Sequence, residues 1–171
     1  MSSLDTTKEK LIRTWIVDRL GTLPYGTVIN PTPFYYSSAQ DFITQNFNSQ
    51  VSSIDYDTFE CNFVMMYFLR FQDSKTQGCD ENPLSNVWYG LTVFKHFKDV
   101  RGDHTNSHDE IIDLILLLRT RLLENRDHPS IAGVSNTPME ATDNLRRNSV
   151  CEFLKDIPGD YQNFKFSVEV V

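Results

Sequence analysis

The stretch TFECNFVMMYFLRFQ, residues 58–72, decides the fold. Phe59, Cys61, Phe63, Met65, Tyr67, Leu69 and Phe71 occupy every second position. In the alternate register Glu60 and Asn62 stand at one end, Arg70 and Gln72 at the other, with Val64, Met66 and Phe68 between them. Period two is the spacing of side chains along one face of a β-strand. Apolar residues in both registers at the centre predict a strand whose middle is buried from both sides and whose ends reach water. At ~3.3 Å per residue such a strand would run roughly 50 Å. That exceeds the core of a small domain, so its ends are expected to project or bend.

Two further strands follow from this one. In residues 86–98, Val87, Tyr89, Leu91, Val93 and Phe97 alternate, while Trp88, Leu91, Phe94 and Phe97 also fit a helical spacing. The β-branched and aromatic content favours a strand. It would pair with 58–72 in a long hairpin across the polar loop 73–85, which holds Gly78 and Pro83. Near the end of the sequence Phe164, Phe166, Val168 and Val170 face inward and Lys165, Ser167 and Glu169 outward, the pattern of an antiparallel strand with one wet face. Pro158-Gly159-Asp160 supplies a turn from a partner strand over 149–157.

Two amphipathic helices complete the set. Over 7–20, Leu11, Ile12, Trp15, Ile16 and Leu20 recur at three and four residues, Thr6 and Glu9 have capping-box spacing, and Gly21 is the stop. Over 107–125, Ser107 and Glu110 repeat the capping pattern, and Ile111, Leu114, Ile115, Leu118 and Leu122 form the inner face. Ile112, Leu116, Leu117 and Leu123 widen it, which predicts burial by the sheet and by a second surface. Arg119, Arg121 and Arg126 suit the negative end of the helix dipole. Between the first helix and the long strand, Pro24, Pro31 and Pro33 forbid a long helix. Val28-Ile29 reads as a short edge strand, and residues 38–47 as one or two helical turns. Residues 127–148 read as a long loop.

The expected fold is therefore α+β: a mainly antiparallel sheet with a long hairpin, packed against two amphipathic helices. One domain over 1–171 is the prior at this length, with 73–103 an extended hairpin or insertion. Trp15, Phe63, Met65, Leu114, Ile115, Leu118 and Phe166 are the expected core.

The chemistry is sparse. The formal net charge of −7 and the absence of a basic patch argue against nucleic-acid binding. No run approaches the ~20 apolar residues that span a bilayer, and no secretory signal is read in residues 1–10. Cys61, Cys79 and Cys151 form no Cys-x-x-Cys and point to a reducing compartment or a particle assembled there. Asp103, His104, His108, Asp109 and Glu110 are the one cluster of metal-ligand types. His104 would precede the cap at Ser107, so the two histidines would not share a helical turn, and a solvated loop with an acidic helix start accounts for them. His96 and His128 are expected apart, on surfaces. There is no nucleophile elbow, no phosphate-binding glycine loop and no His-Glu-x-x-His. No catalytic, cofactor or metal residue is assigned, and the protein is read as not an enzyme. The aromatic run Phe34-Tyr35-Tyr36 either covers one end of the core or meets a partner.

The order of elements resembles that of the tail terminator and tail-completion (neck) proteins of long-tailed bacteriophages. The matching pieces are residues 8–20, 58–72, 108–125 and 161–171, and the likeness is one of layout and size, without a diagnostic motif. The segment 73–103 departs from the smaller members. The resemblance implies a structural virion protein, assembled in the host cytoplasm, that forms a hexameric ring with itself. Such a ring caps the tail tube, ends its polymerisation and joins it to the head connector or stopper protein, with the sheath protein as a further candidate partner. It implies no cofactor, no sequence-specific nucleic-acid contact and no membrane. Phe34, Tyr35, Tyr36, Phe71 and Trp88 are the candidate interface residues. A small inhibitor or immunity-type binding module is the alternative, and a metal-dependent enzyme at His104/His108 a third class.

Overall fold

The computed structural model describes residues 4–23, 27–29, 41, 44–45, 63–74, 84–96, 104–142 and 159–170. Two helices, α1 (Thr6–Leu20) and α2 (His104–Leu123), pack on one face of a sheet. Its strands are β1 (Thr27–Ile29), β2 (Phe63–Ser74), β3 (Leu84–His96), β4 (Val134–Asn136), β5 (Glu140–Ala141) and β6 (Gly159–Val170). They lie in the order β1-β2-β3-β6-β4, with β5 also paired to β6. All pairs are antiparallel except β1 with β2. The α+β class and the long hairpin are as the alternation predicts. The second arm of that hairpin, β3, is interior, held by β2 on one side and β6 on the other.

The first five residues of β2, Phe63 to Tyr67, which form the middle of the predicted stretch 58–72, are buried without interruption. That is the consequence of apolar residues in both registers. Val64 and Met66 join Val87, Tyr89, Leu91 and Val93 of β3 and Phe164, Phe166, Val168 and Val170 of β6 beneath the helices. Ile12, Ile16 and Leu20 of α1 and Leu114, Leu118 and Leu122 of α2 close this layer. On the opposite face Phe63 stacks on Phe94 with ring centres 5.1 Å apart. Tyr67 lies over Gly90, where a Cβ would collide with the ring. Only glycine leaves that ring room.

The even alternation of β2 breaks once. Phe68 pairs with Tyr89, but Arg70 pairs with Trp88, so Leu69 is an extra residue in a β-bulge. The bulge reverses the facing of everything beyond it. Phe71 stands opposite Val87 on the helix side, and not beside Tyr67 as strict period two predicts.

The helix ends differ from the sequence reading in instructive ways. Asp5, in extended conformation, caps α1, and its carboxylate accepts from the Lys8 amide at 2.8 Å. The cap thus lies one residue before Thr6. Leu11 faces solvent, and Trp15 and Ile115 are half-buried. Helix α2 begins at His104, which places Ser107 inside it and both His104 and His108 on helical backbone four residues apart. Glu110 does not serve a cap box; it pairs with Lys95 of β3 at 2.7 Å and ties the helix to the sheet. Ile112, Leu116 and Leu123 are exposed, so the expected second cover is not seen on them among the described residues.

Further corrections concern the last third of the chain. Gly159 and Asp160 are not a turn but the first residues of β6, paired with His96 and Lys95. The partner strand expected over 149–157 lies outside the described residues, as do residues 58–62 of the long strand. The loop expected over 127–148 contains β4 and β5, which pair along β6. Ser167 is buried, because Thr137 crosses it: the Thr137 amide donates to the Ser167 carbonyl at 2.8 Å, and the Ser167 amide to Thr137 Oγ1 at 2.9 Å.

Both helices end at the same place, and each supplies an arginine to the other. Arg19 donates to the carbonyls of Arg121 (3.1 Å), Leu122 (2.9 Å) and Glu124, and to Asn136 Oδ1 (2.5 Å). Arg121 donates to the carbonyls of Leu20 and Thr22 (2.9 Å). Those carbonyls lack intrahelical partners. Gly21 closes α1 with φ +66°, where a side chain would be strained, and its amide donates to Val17 at 3.3 Å.

Two outcomes test this packing. Leu118→Ala should cost about 2–5 kcal/mol in denaturant unfolding, from lost transfer energy and the cavity left; a loss near zero would place the residue outside the core. Arg19→Leu should cost about 1–3 kcal/mol, since it leaves part-buried carbonyls without their donor. Arg19→Lys should fall between, because an ammonium cannot reproduce the fork.

Candidate functional site

The bulge builds the first candidate surface. It brings Phe68 and Phe71 to the helix side with ring centres 4.9 Å apart, and leaves Phe71 56% exposed. With Leu4, Asp5, Thr6, Glu9 and Arg13 they line a groove of about 460 Å³. Its acidic wall is held in place: Glu9 accepts from Tyr89 Oη at 3.0 Å and lies 3.7 Å from Arg13. Burial first, and then the Glu9 carboxylate, push the Tyr89 phenol far above its ordinary pKa, so it stays a neutral donor. The groove offers apolar surface with a carboxylate and a guanidinium at its rim. That suits recognition of a partner side chain.

Trp88 belongs to the other face. Its neighbour in the ladder is Arg70, one residue from Phe71, and the pleat turns the two aromatics to opposite sides. The indole is half-buried, donates to Gln72 Oε1 at 3.0 Å, and has the Arg70 and Lys165 cations 5.4 and 5.6 Å from its ring centre. Lys165 also pairs with Glu140 at 3.0 Å. The five candidate interface residues are therefore not brought into one patch. Phe71 and Trp88 are split by the sheet, and Phe34, Tyr35 and Tyr36 lie outside the described residues.

No group of three metal-ligand types occurs among the described residues. The side chains of His104 and His108 lie outside them, as do Cys61, Cys79 and Cys151. No helix among the described residues is long and apolar enough to cross a membrane.

Two polar constellations escaped the sequence reading because their members are far apart in the chain. One runs across the sheet: Tyr67 Oη meets Thr92 Oγ1 at 3.1 Å, and Thr92 donates to Asn163 Oδ1 at 2.8 Å. It ends at a pocket of about 250 Å³ lined by Ala141, Thr142, Tyr161, Gln162 and Asn163. The other surrounds His128, which is half-buried rather than on the surface as expected. Its Nδ1 accepts from the amides of Ser130 (3.1 Å) and Ile131 (3.0 Å), and its ring lies 4.9 Å from Trp15, over which Arg19 sits at 4.6 Å.

That setting gives His128 a pH signature. Desolvation lowers its pKa from the ordinary value, and an Nδ1 that accepts two amides must be unprotonated. The unfolded chain then binds the proton more readily than the folded one. The histidine's contribution to stability is complete above about pH 6.5 and is lost as pH falls below it. An NMR titration should place the His128 pKa below that of a free peptide histidine, and His128→Gln should flatten the acid limb of the stability curve. A pKa at or above the peptide value would refute the assignment.

No protein-family model matches the chain, and no characterised protein matches it in sequence.

Proposed function

We propose that the protein is a structural subunit of the virion that closes into a ring on the end of a phage tail tube, stops its polymerisation and joins the tail to the head connector. One observation carries the reading. Among the described residues, strand β1 pairs with β2 only at Phe63, Val64 and Met65. Among the described residues no strand pairs with the outer edge of β2 over residues 66–74. Unpaired N–H and C=O groups on such an edge are a template for a neighbouring chain. The bulge at Leu69 and the exposed Arg70 discourage indiscriminate pairing there. A neighbour of matching shape in a head-to-tail arrangement closes a ring when its rotation divides the circle. The element order supports assigning that ring to a phage tail.

The groove beside Phe71 supports the second reading, a binding module that receives one partner side chain. The two readings differ in stoichiometry: a ring needs several copies on one target, the module a one-to-one complex.

The test mixes the protein with purified tail tubes and images the tube ends, with masses measured in parallel. The expected result is ring density at one end and arrested tube length. Phe71→Asp should remove that density while lowering monomer stability by less than about 1.5 kcal/mol, because the Phe71 side chain is mostly solvent-exposed and its aromatic contact is with Phe68. Bare ends and unaltered tube lengths would sink the ring. A one-to-one complex with another protein would replace it with the module.

A further inference from the structure

The polar pocket beside β5 is independent of the edge just described, and its wall is unusual in three respects. The five lining residues among those described, Ala141, Thr142, Tyr161, Gln162 and Asn163, are neutral. At about 30 Å³ per molecule of liquid water, its 250 Å³ exceeds a site for one or two waters. The Asn163 amide is oriented from behind by buried groups: Thr92 is 0% exposed and Tyr67 5%.

The orientation follows from proton counting. Thr92 has one hydroxyl proton and gives it to Asn163 Oδ1. Tyr67 must then be the donor in its contact with Thr92. With Oδ1 engaged by Thr92, the Asn163 side chain is left to offer its amide N–H groups to the pocket it lines. The backbone there is fixed as well, because the Thr142 amide donates to the Asn163 carbonyl at 3.0 Å. Thr142 adds a hydroxyl and Gln162 an amide, each able to donate and accept. Tyr161, 38% exposed, adds an aromatic ring and a phenol.

This wall selects its ligand by chemistry. A charged ligand would find no counter-charge among the described lining residues, and Lys165 of the same strand is paired with Glu140. A purely apolar ligand would leave the amides and hydroxyls unpaired. A compact neutral molecule carrying several hydroxyls on a ring with apolar C–H faces satisfies both demands. It would meet Asn163, Thr142 and Gln162 with hydroxyls and Tyr161 with a C–H face. We propose that this pocket binds a single neutral sugar residue, held by the Asn163 amide that the Tyr67–Thr92 relay orients.

The experiment titrates the full chain, labelled with nitrogen-15, with the methyl glycosides of glucose, galactose, mannose and N-acetylglucosamine, each taken into the tens of millimolar. Binding in the millimolar range is expected for a ligand this small. At least one glycoside should shift the Asn163 side-chain amide and the backbone amides of Thr142 and Gln162. Asn163→Asp keeps the acceptor that Thr92 uses and replaces the N–H donors, so it should weaken binding about tenfold or more. Thr142→Val provides a second, milder variant and should also weaken it. Thr92→Val leaves the pocket wall intact but frees the amide to flip, and should weaken binding while Asn163 itself remains. No shift with any of the four sugars overturns the proposal. So do shifts that map elsewhere, or that survive unchanged in Asn163→Asp and Thr142→Val.

Discussion

Two helices that end side by side bring two sets of unpaired carbonyls, and two negative dipole ends, to one place. That arrangement is unfavourable unless cations meet it. Arg19 and Arg121 do so reciprocally, each reaching across to the carbonyls of the other helix. The rest of the helix layer depends on this crossing. It sets how closely α1 and α2 approach, and so which residues of each can face the sheet. It also fixes the start of the last third of the chain. Asn136 of β4 accepts from Arg19 and donates to the Leu122 carbonyl at 2.8 Å, while Arg126 donates to the Asn136 carbonyl at 3.0 Å. The strand that edges β6 is thereby hung from the helix ends. Desolvation lowers the pKa of Arg19, yet an arginine starts so high that it remains a cation throughout the useful pH range.

Much of the architecture was legible from spacing alone. The doubled apolar pattern of β2, the alternation of β6 and the 3.6-residue recurrence in α2 are local properties, read within a dozen residues. What was misread is also physical. The cap of α1 is Asp5 and not Thr6; both are good capping residues, and spacing alone does not choose between them. Helix α2 starts a turn before the expected cap Ser107, and Glu110, the expected partner of that cap, pairs with Lys95 on the sheet. The bulge at Leu69 left no mark in composition, since Leu69 and Phe71 fit either face. Ser167 looked like an outward residue because nothing near it in sequence announces that Thr137 covers it.

The candidate sites were less legible than the fold for a related reason. Arg70, Trp88 and Lys165 meet only through the register of three strands, and Tyr67, Thr92 and Asn163 likewise. A single Trp or Asn in a strand pattern says nothing of what stands beside it two strands away. Signals did exist. Thr92 interrupts an apolar run on β3, and Asn163 sits one residue before Phe164 on β6, so polar residues stood where the strands' other face was filling with aromatics. The exposed leucines of α2 show the converse. A wide apolar circumference was visible in the sequence, but Leu116 and Ile112 face outward among the described residues, and local pattern carries no information on what lies opposite.

The single extra residue at Leu69 divides β2 into two halves that are out of step. Before it, odd-numbered residues line the face opposite the helices; after it, odd-numbered residues lie on the helix side. The distal half of the hairpin can therefore change its surroundings without any change in its own composition. Closing the bulge by a one-residue slip, with no change in length, would pair Leu69 with Trp88 and Arg70 with Val87; it would carry Phe71 away from Phe68 and toward the face that holds Trp88, and would bring Arg70 to the groove in its place. Such a slip in pairing, with no change of sequence, would thus exchange an apolar contact surface for a cationic one. The surface chemistry of this arm is written in its register as much as in the identity of its residues.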